Sequence, residues 1–375
     1  MTSARTVAVI SQIPPPVHGS TMMTLTLLEA LRANKWVPIL IERRFSRTVG
    51  EVGRIKISKV LRIGVLLARL ASVWLVSRPP VVVFFITNRP GSFLVDVLLM
   101  SLLRLRRRPI IGYVHTLGFH DLAERNGVWR LLVGYLLGSL SSCICLSPAL
   151  EADVSPWVRG SLLSIPNALA VEAEERASSV PIDDGAVRPF TVLFLSNMLR
   201  EKGVADFIDI AGKVSSEHTD SQFVVAGAES AEYTVAIVEE LALTAELGPS
   251  TRVLGPIGQD DKWRLLAQAD LLIFPSKYKY EAQPLTILES LASGTPVVAY
   301  AIGGIVDVLG NQDGSHIVPI GDTRAAADFA ISLAKDPLRR MSASNSARFR
   351  YKKTYSFATY SARWDQALRE SLASD

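Results

Sequence analysis

Short runs of Val, Ile, Leu and Phe alternate with longer stretches of helical periodicity along the 375 residues. Continuous apolar runs of this length fit strands buried on both faces, and so parallel sheets covered by helices. The pattern predicts strands at 6–11, 37–42, 81–86, 110–115 and 142–146, then again at 191–196, 222–226, 252–254, 271–274 and 297–300. Between the two sets lies AVEAEERASSVPIDDGAVRP, acidic, polar and carrying Pro181 and Pro189, which reads as a linker over 171–190. The expected fold class is α/β with two Rossmann-like domains, 1–170 and 191–356, whose parallel sheets face a central cleft. A closing helix at about 357–375 is expected to pack back on the first domain.

In open parallel sheets, ligands bind beyond the carboxyl ends of the strands. Four unusual segments follow expected strands: SQIPPPVHGST, HTLGFHD, SNMLREKG and PSKYKYEAQPLTILE. With the sheets face to face, all four line one cleft. In SNMLREKG, Lys202 and Gly203 stand just before a helical pattern. A helix start offers free amides and positive potential, which suits a phosphate. An ordinary solvated turn of Arg200, Glu201 and Lys202 is the alternative; neither GxxxxGK nor GxGxxG occurs.

In the last segment, Glu281 and Glu289 stand eight positions apart with Pro284 between them. Pro284 suits the first helical position, and Leu285, Leu288, Leu291 and Ala292 follow with helical spacing. A carboxylate at each end can accept hydrogen bonds from neutral hydroxyls, and the helix start between them offers amides to an anion. An anion flanked by two polyols describes a nucleotide diphosphate sugar. The alternative is two acids that favour a helix N-terminus and face water.

The E-x7-E pattern of Glu281 and Glu289, with ASGTPVVA and a GG pair downstream, closely resembles the donor-binding region of retaining GT-B glycosyltransferases of family four. LSNMLREKG, PPPVHGS, GYVHTLGFHD and IPNAL resemble further elements of that family. The resemblance is strongest over 191–310 and loosest over 45–105. It implies that Glu289 holds the nucleotide ribose and that Glu281 contacts the transferred sugar. It implies that Gln283, Pro284, Leu285 and Thr286 form the turn and helix start that meet the diphosphate, and that Lys202 neutralises it. Gly19 would let backbone approach the diphosphate, and His115 would reach the donor sugar near the reacting centre. Asn197 stands where the family usually has an arginine, and Ser196 where it has a glycine. Arg200 is the candidate to restore the missing charge.

Breaking a glycosidic bond builds negative charge on the departing diphosphate, which preorganised cations and amides stabilise. No D-x-D triplet occurs, so neither a metal nor another cofactor is expected. The family's account is a retaining, same-face attack.

Charge adds a further expectation. Residues 1–170 carry 20 Lys and Arg against 8 Asp and Glu, whereas 171–375 carry 20 against 28. The basic half therefore meets something anionic. Residues 54–78 hold six basic residues and no acid, and LLRLRRRP at 102–109 adds four arginines. Apolar faces edged with cations suit an anionic membrane surface; a helix with a basic solvent edge is the plainer alternative. Nucleic acid fits less well, because the cations interleave with Leu and Val and not with stacking aromatics. The stretch between Arg130 and Glu151 reads as a buried helix followed by a strand. Cys143 and Cys145 form no disulfide or zinc pattern, and the N-terminus lacks the order of a signal peptide.

The expectation is a hexosyltransferase that uses a nucleotide diphosphate sugar and a glycan or polyprenyl-linked acceptor. It would lie at the cytoplasmic face of the cell membrane and serve cell-surface polysaccharide synthesis. A non-catalytic nucleotide-sugar-binding protein, motivated by Asn197, and a sugar-nucleotide epimerase are the alternatives.

Overall fold

Strands β1 (Arg5–Ser11), β2 (Trp36–Glu42), β3 (Val81–Ile86), β4 (Ile110–Val114), β5 (Ser142–Cys145) and β6 (Ser161–Ser164) form one sheet. Its order is β2-β1-β3-β4-β5-β6, and every neighbouring pair is parallel. These elements come from a computed structural model that describes residues 5–15, 17–43, 57–179, 188–310 and 314–373, the side chains of 57–63 excepted. The second sheet holds β7 (Thr191–Leu195), β8 (Gln222–Ala226), β9 (Thr251–Val253), β10 (Leu271–Phe274), β11 (Val297–Tyr300) and β12 (Ser315–Val318). It is again all parallel, in the order β12-β11-β10-β7-β8-β9. The expected two Rossmann-like α/β halves are thus present.

The chain divides into two units, Met1–Ala170 with Phe357–Asp375, and Val171–Ser356. Helices α1 (Gly19–Ala33), α2 (Ile57–Val76), α3 (Pro90–Leu103), α4 (Phe119–Glu124) and α5 (Gly127–Leu137) belong to the first. The second holds α6 (Val171–Ser178), α7 (Val204–Glu217), α8 (Val235–Thr244), α9 (Gln259–Gln268), α10 (Leu285–Ser293), α11 (Ile305–Leu309), α12 (Thr323–Lys335) and α13 (Pro337–Arg350). Finally α14 (Phe357–Ala373) lies in the first unit.

β3 reads VVVFFI and is buried at all six positions, as a strand covered on both faces must be. α7 buries Val204, Phe207, Ile208, Ala211 and Val214, the stripe that 3.6-residue periodicity places on one face. Phe207 meets Phe194 of β7 at 5.6 Å between ring centroids.

Two strands escape the sequence pattern, and both are sheet edges. β6 is SLLS and β12 is SHIV. Each has only two apolar positions in four residues, too short a run to stand out, whereas the edge strand β2, WVPILIE, is long enough to be read. Residues 171–178, read as linker, form α6 instead. Glu172 and Glu174 sit in its first turn, where the helix dipole favours anions, and Glu172 pairs with Arg176 at 3.0 Å. α6 covers α10, which is buried over Ile287–Ser293 and needs cover on several sides. Residues 180–187 of that linker reading, and 54–56 of the basic stretch, lie outside the described residues.

α14 is tied to the first unit by polar contacts around an aromatic wedge. Asn34 Nδ2 donates to Ser361 Oγ at 2.7 Å, and Trp36 Nε1 donates to Asp365 Oδ1 at 2.8 Å. Trp364 and Tyr360 are fully buried, with Trp364 against Tyr113 of β4 at 4.8 Å.

Candidate functional site

Counted from its own first strand, the second sheet has the order 3-2-1-4-5-6, with the reversal between β7 and β10. A crevice opens at such a switch point, because the chain leaves the two neighbouring strands toward opposite sides. The loops after those two strands carry SNMLREKG and PSKYKYEAQP. Lys202, from the first loop, places Nζ 2.5 Å from Glu281 Oε2, from the second. Glu281 Oε2 also accepts a hydrogen bond from Ser276 Oγ at 2.7 Å. The Lys202 ammonium lies 5.0 Å from the ring centre of Tyr278 and 5.8 Å from that of Phe274. Two rings and a carboxylate therefore fix a cation at the strand exit.

Close backbone packing aligns the two loops. Gly203 has φ +78°, and a Cβ there would stand 2.1 Å from the Pro275 carbonyl oxygen. Only glycine combines that left-handed backbone with so near an approach. Lys277 N donates to the Glu201 carbonyl at 2.7 Å. Asp206, in the first turn of α7, accepts from Lys277 Nζ at 2.8 Å and from Tyr300 Oη at 2.6 Å. The Tyr300 phenol is pushed up by burial and by the Asp206 carboxylate, so it serves as a fixed donor.

Glu289 lies just past the first turn of α10, on a helix with little free surface. A carboxylate in that position needs a partner. Lys262 of α9 supplies it, donating from Nζ to Glu289 Oε1. Lys262 and Ser276 carry no motif: QDDKWR reads as a charged helix start, and Ser276 as one more loop serine.

The resemblance-based candidates fall into three sets. Lys202, Glu281, Gln283, Pro284, Leu285 and Thr286 stand together at the switch point. Pro284 is the N-cap of α10 and not its first residue, with φ −64° and ψ 127°. The ring fixes φ in either position, but the extended ψ keeps Pro284 outside the helix. Leu285 and Thr286 then open α10, where amides have no partner within the helix. Gln283 is buried immediately before. Asn197 and Arg200 depart from expectation. Asn197 is exposed, and Arg200 sends Nε to Glu232 Oε2 at 3.2 Å from a largely exposed position. Arg200 therefore does not add its charge to the Lys202–Glu281 pair.

His115 and Gly19 belong to the first unit. His115 follows β4, stacked on Phe85 at 5.0 Å and edge-on to Tyr113 at 3.9 Å. Its Nε2 is buried without a hydrogen-bond partner among the described residues. Burial lowers its pKa to about 3, so the ring is neutral at physiological pH. The backbone just beyond it is tied down by hydrogen bonds. Asp153 accepts from the amides of Gly118 at 2.8 Å, Phe119 at 3.0 Å and His120 at 2.9 Å. His120 itself is exposed and pairs with Glu124 at 3.0 Å. Gly19 opens α1, and a Cβ added there would meet nothing within 4 Å.

Residues 183–350 match the family model of the glycosyl transferases group 1. The match takes in nearly the whole second unit and every residue of the switch-point cluster. An N-acetyl-alpha-D-glucosaminyl L-malate synthase of Bacillus anthracis is 32% identical over 145 residues, 39% of this chain and 36% of that protein. A phosphatidyl-myo-inositol mannosyltransferase of Mycobacterium leprae is 28% identical over 246 residues, 64% of this chain and 62% of that protein. The chain thus spans roughly a third to just under two thirds of these curated relatives. Among solved structures, a sucrose-phosphate synthase from Thermosynechococcus elongatus superposes with TM-score 0.75 at 18% identity, covering 99% of this chain and 100% of that one. Anabaena HepE in complex with UDP superposes with TM-score 0.73 at 15% identity, covering 97% and 99%. Those likenesses establish the shared two-domain Rossmann-like fold.

Proposed function

We propose that this protein is a glycosyltransferase that takes a hexose from a nucleotide diphosphate sugar and passes it to a glycan or polyprenyl-linked acceptor with retention. The observation that supports the reading most is the Lys202–Glu281 contact, 2.5 Å across the switch point of the second sheet. A cation and a carboxylate held together there are the two groups that a sugar diphosphate must engage. The relatives with printed transferase names, and the UDP bound by HepE, support the same reading.

On this proposal each acid is stored against a lysine until the donor arrives. The diphosphate draws Lys202 toward itself, helped by the amides at the start of α10. Glu281 is then released to accept sugar hydroxyls, with Ser276 keeping its orientation. The ribose hydroxyls replace Lys262 as donors to Glu289. Lys202 and the amides stabilise the negative charge of the departing diphosphate, and no metal takes part. His115 acts as a neutral hydrogen-bonding group and not as a general acid or base. The lipid-linked acceptor, the cytoplasmic membrane face and a part in cell-surface polysaccharide synthesis complete the proposal. They rest on the basic first half.

Incubation with a panel of nucleotide sugars, glycan and polyprenyl-phosphate acceptors, with and without EDTA, tests the proposal. Transfer that survives EDTA and retains the anomeric configuration is expected. An isomerised sugar nucleotide without transfer would mark an epimerase. Binding with no turnover would favour a non-catalytic protein, the reading that the exposed, uncharged Asn197 supports.

A further inference from the structure

The first unit carries a surface that neither the sheet nor the site explains. Along α3 and the 3-10 turn Arg104–Arg106 that follows it, Leu94, Leu98, Ser101 and Leu105 recur at spacings of four, three and four, close to one helical face. Along α5, Val128, Leu131 and Tyr135 do the same. The two faces meet at a polar seam. Tyr135 Oη donates to Ser101 Oγ at 3.0 Å, and Arg104 lies over the Tyr135 ring at 5.3 Å while reaching Ser139 Oγ at 3.2 Å. Both apolar stripes therefore border one continuous surface. Their side chains are open: Leu98, at 42%, is the least exposed of the five aliphatic residues, and Leu105, at 77%, the most.

The charge around that surface has one sign. Residues 90–108 and 127–139 contain Arg104, Arg106, Arg107, Arg108 and Arg130, all exposed. Their one acid is Asp96, which is buried against Arg43. Glu124, the nearest acid in sequence, is engaged with His120. Aliphatic side chains edged by arginines, with no exposed acid between them, match the interface of an anionic bilayer, where chains enter the headgroup layer and guanidinium groups meet phosphates. Aromatic residues that would stack nucleic-acid bases are lacking on the stripes, apart from Tyr135 at the seam. Among the described residues no helix is long and apolar enough to cross a membrane.

We infer that the α3–α5 face docks this protein onto a membrane rich in anionic phospholipid, with Leu98, Leu105, Val128 and Leu131 entering the headgroup layer and Arg104, Arg106, Arg107, Arg108 and Arg130 at the phosphates. The described side chains of α2, 64–76, include exposed apolar residues but only one cation, Arg69, so the contact is assigned to α3 and α5. It does not depend on the transfer reaction.

Sedimentation of the full chain with phosphatidylcholine vesicles, with and without a minority of phosphatidylglycerol, tests the surface. Binding is expected only with the anionic lipid. The triple variant Arg106→Glu, Arg107→Glu, Arg108→Glu is expected to weaken it by at least about tenfold, since each basic residue near the surface contributes a factor of several. The pair Leu98→Glu, Leu131→Glu is expected to do the same with the thermal midpoint unchanged, because both side chains are exposed. Arg69→Glu on α2 is expected to bind like the parent. Parent protein that ignores anionic vesicles, α3–α5 variants that bind undiminished, or loss confined to Arg69→Glu would each overturn the assignment.

Discussion

Each unit holds buried ion pairs near the carboxyl edge of its sheet, and they differ in how far they are sealed. In the first unit Arg43, just past β2, pairs with Asp96 of α3, and their side chains are 4% and 0% exposed. Asp96 Oδ2 also accepts from Thr87 N at 3.0 Å and Thr87 Oγ1 at 3.2 Å. In the second unit, Lys202 and Glu281 are 19% and 10% exposed, and Lys262 and Glu289 are 18% and 11% exposed. A sealed pair has no route for an exchange of partners, since removing either member leaves a charge without solvent. A pair with an open edge can trade its partner for a ligand hydroxyl or phosphate. The same chemistry is sealed in one unit and open to exchange in the other.

Breaking the sealed pair should have the largest effect. Asp96→Ala is expected to destabilise the fold by about 3–5 kcal/mol, the usual result of stranding one charge of a buried pair. Urea unfolding measures it, and a change below about 1 kcal/mol would mean that water reaches Arg43. Next comes the alignment of the two switch-point loops. Gly203→Ala forces a side chain into the left-handed region, at about 1–3 kcal/mol, and into the Pro275 carbonyl as well. Loss of nucleotide binding should accompany the lower stability. A variant that binds normally would show that Lys202 does not depend on this packing.

The open pairs should respond in function more than in stability. Glu281→Gln keeps the shape but removes the charge proposed to receive sugar hydroxyls. Its kcat is expected to fall about ten- to a hundredfold, in keeping with a charged hydrogen bond of about 1.5–3 kcal/mol, with KM changed less. An equal rise in KM with kcat intact would place Glu281 in ground-state binding instead.

At neutral pH the smallest effect is that of His115, which bears on stability only under acid conditions. Burial lowers it from 6.5 to about 3. Below pH 6.5 the unfolded chain takes up a proton that the folded chain refuses. The residue's contribution to stability is therefore complete above that pH and is lost progressively as pH falls toward 3. His115→Asn should flatten the acid limb of stability, which otherwise falls by at most about 1.4 kcal/mol per pH unit from this group. An unchanged limb would mean that His115 protonates freely in the fold.

The contrast between the units also separates what is legible in the chain from what is not. β3 and β10, VVVFFI and LLIF, declare themselves because both faces are covered. β6 and β12 do not, because each is a four-residue strand with only two apolar positions. Lys202 and Glu281 can be linked from sequence alone, since each follows a strand and the rule for open sheets brings such loops together. Lys262 and Glu289 cannot. They are 27 residues apart on two helices, and only the packing of α9 beside α10 joins them. Arg200 fails for the converse reason: its spacing suggests a role that an exposed contact to Glu232 takes instead.

Isothermal titration of parent and Glu289→Ala with a panel of nucleoside diphosphates tests the open-pair site most directly. The parent is expected to bind at least one of them, and the variant to bind it about ten- to a hundredfold more weakly with its thermal midpoint little changed. Equal affinity in the two proteins, or no binding by the parent to any nucleotide, would contradict a donor site at the switch point of the second sheet.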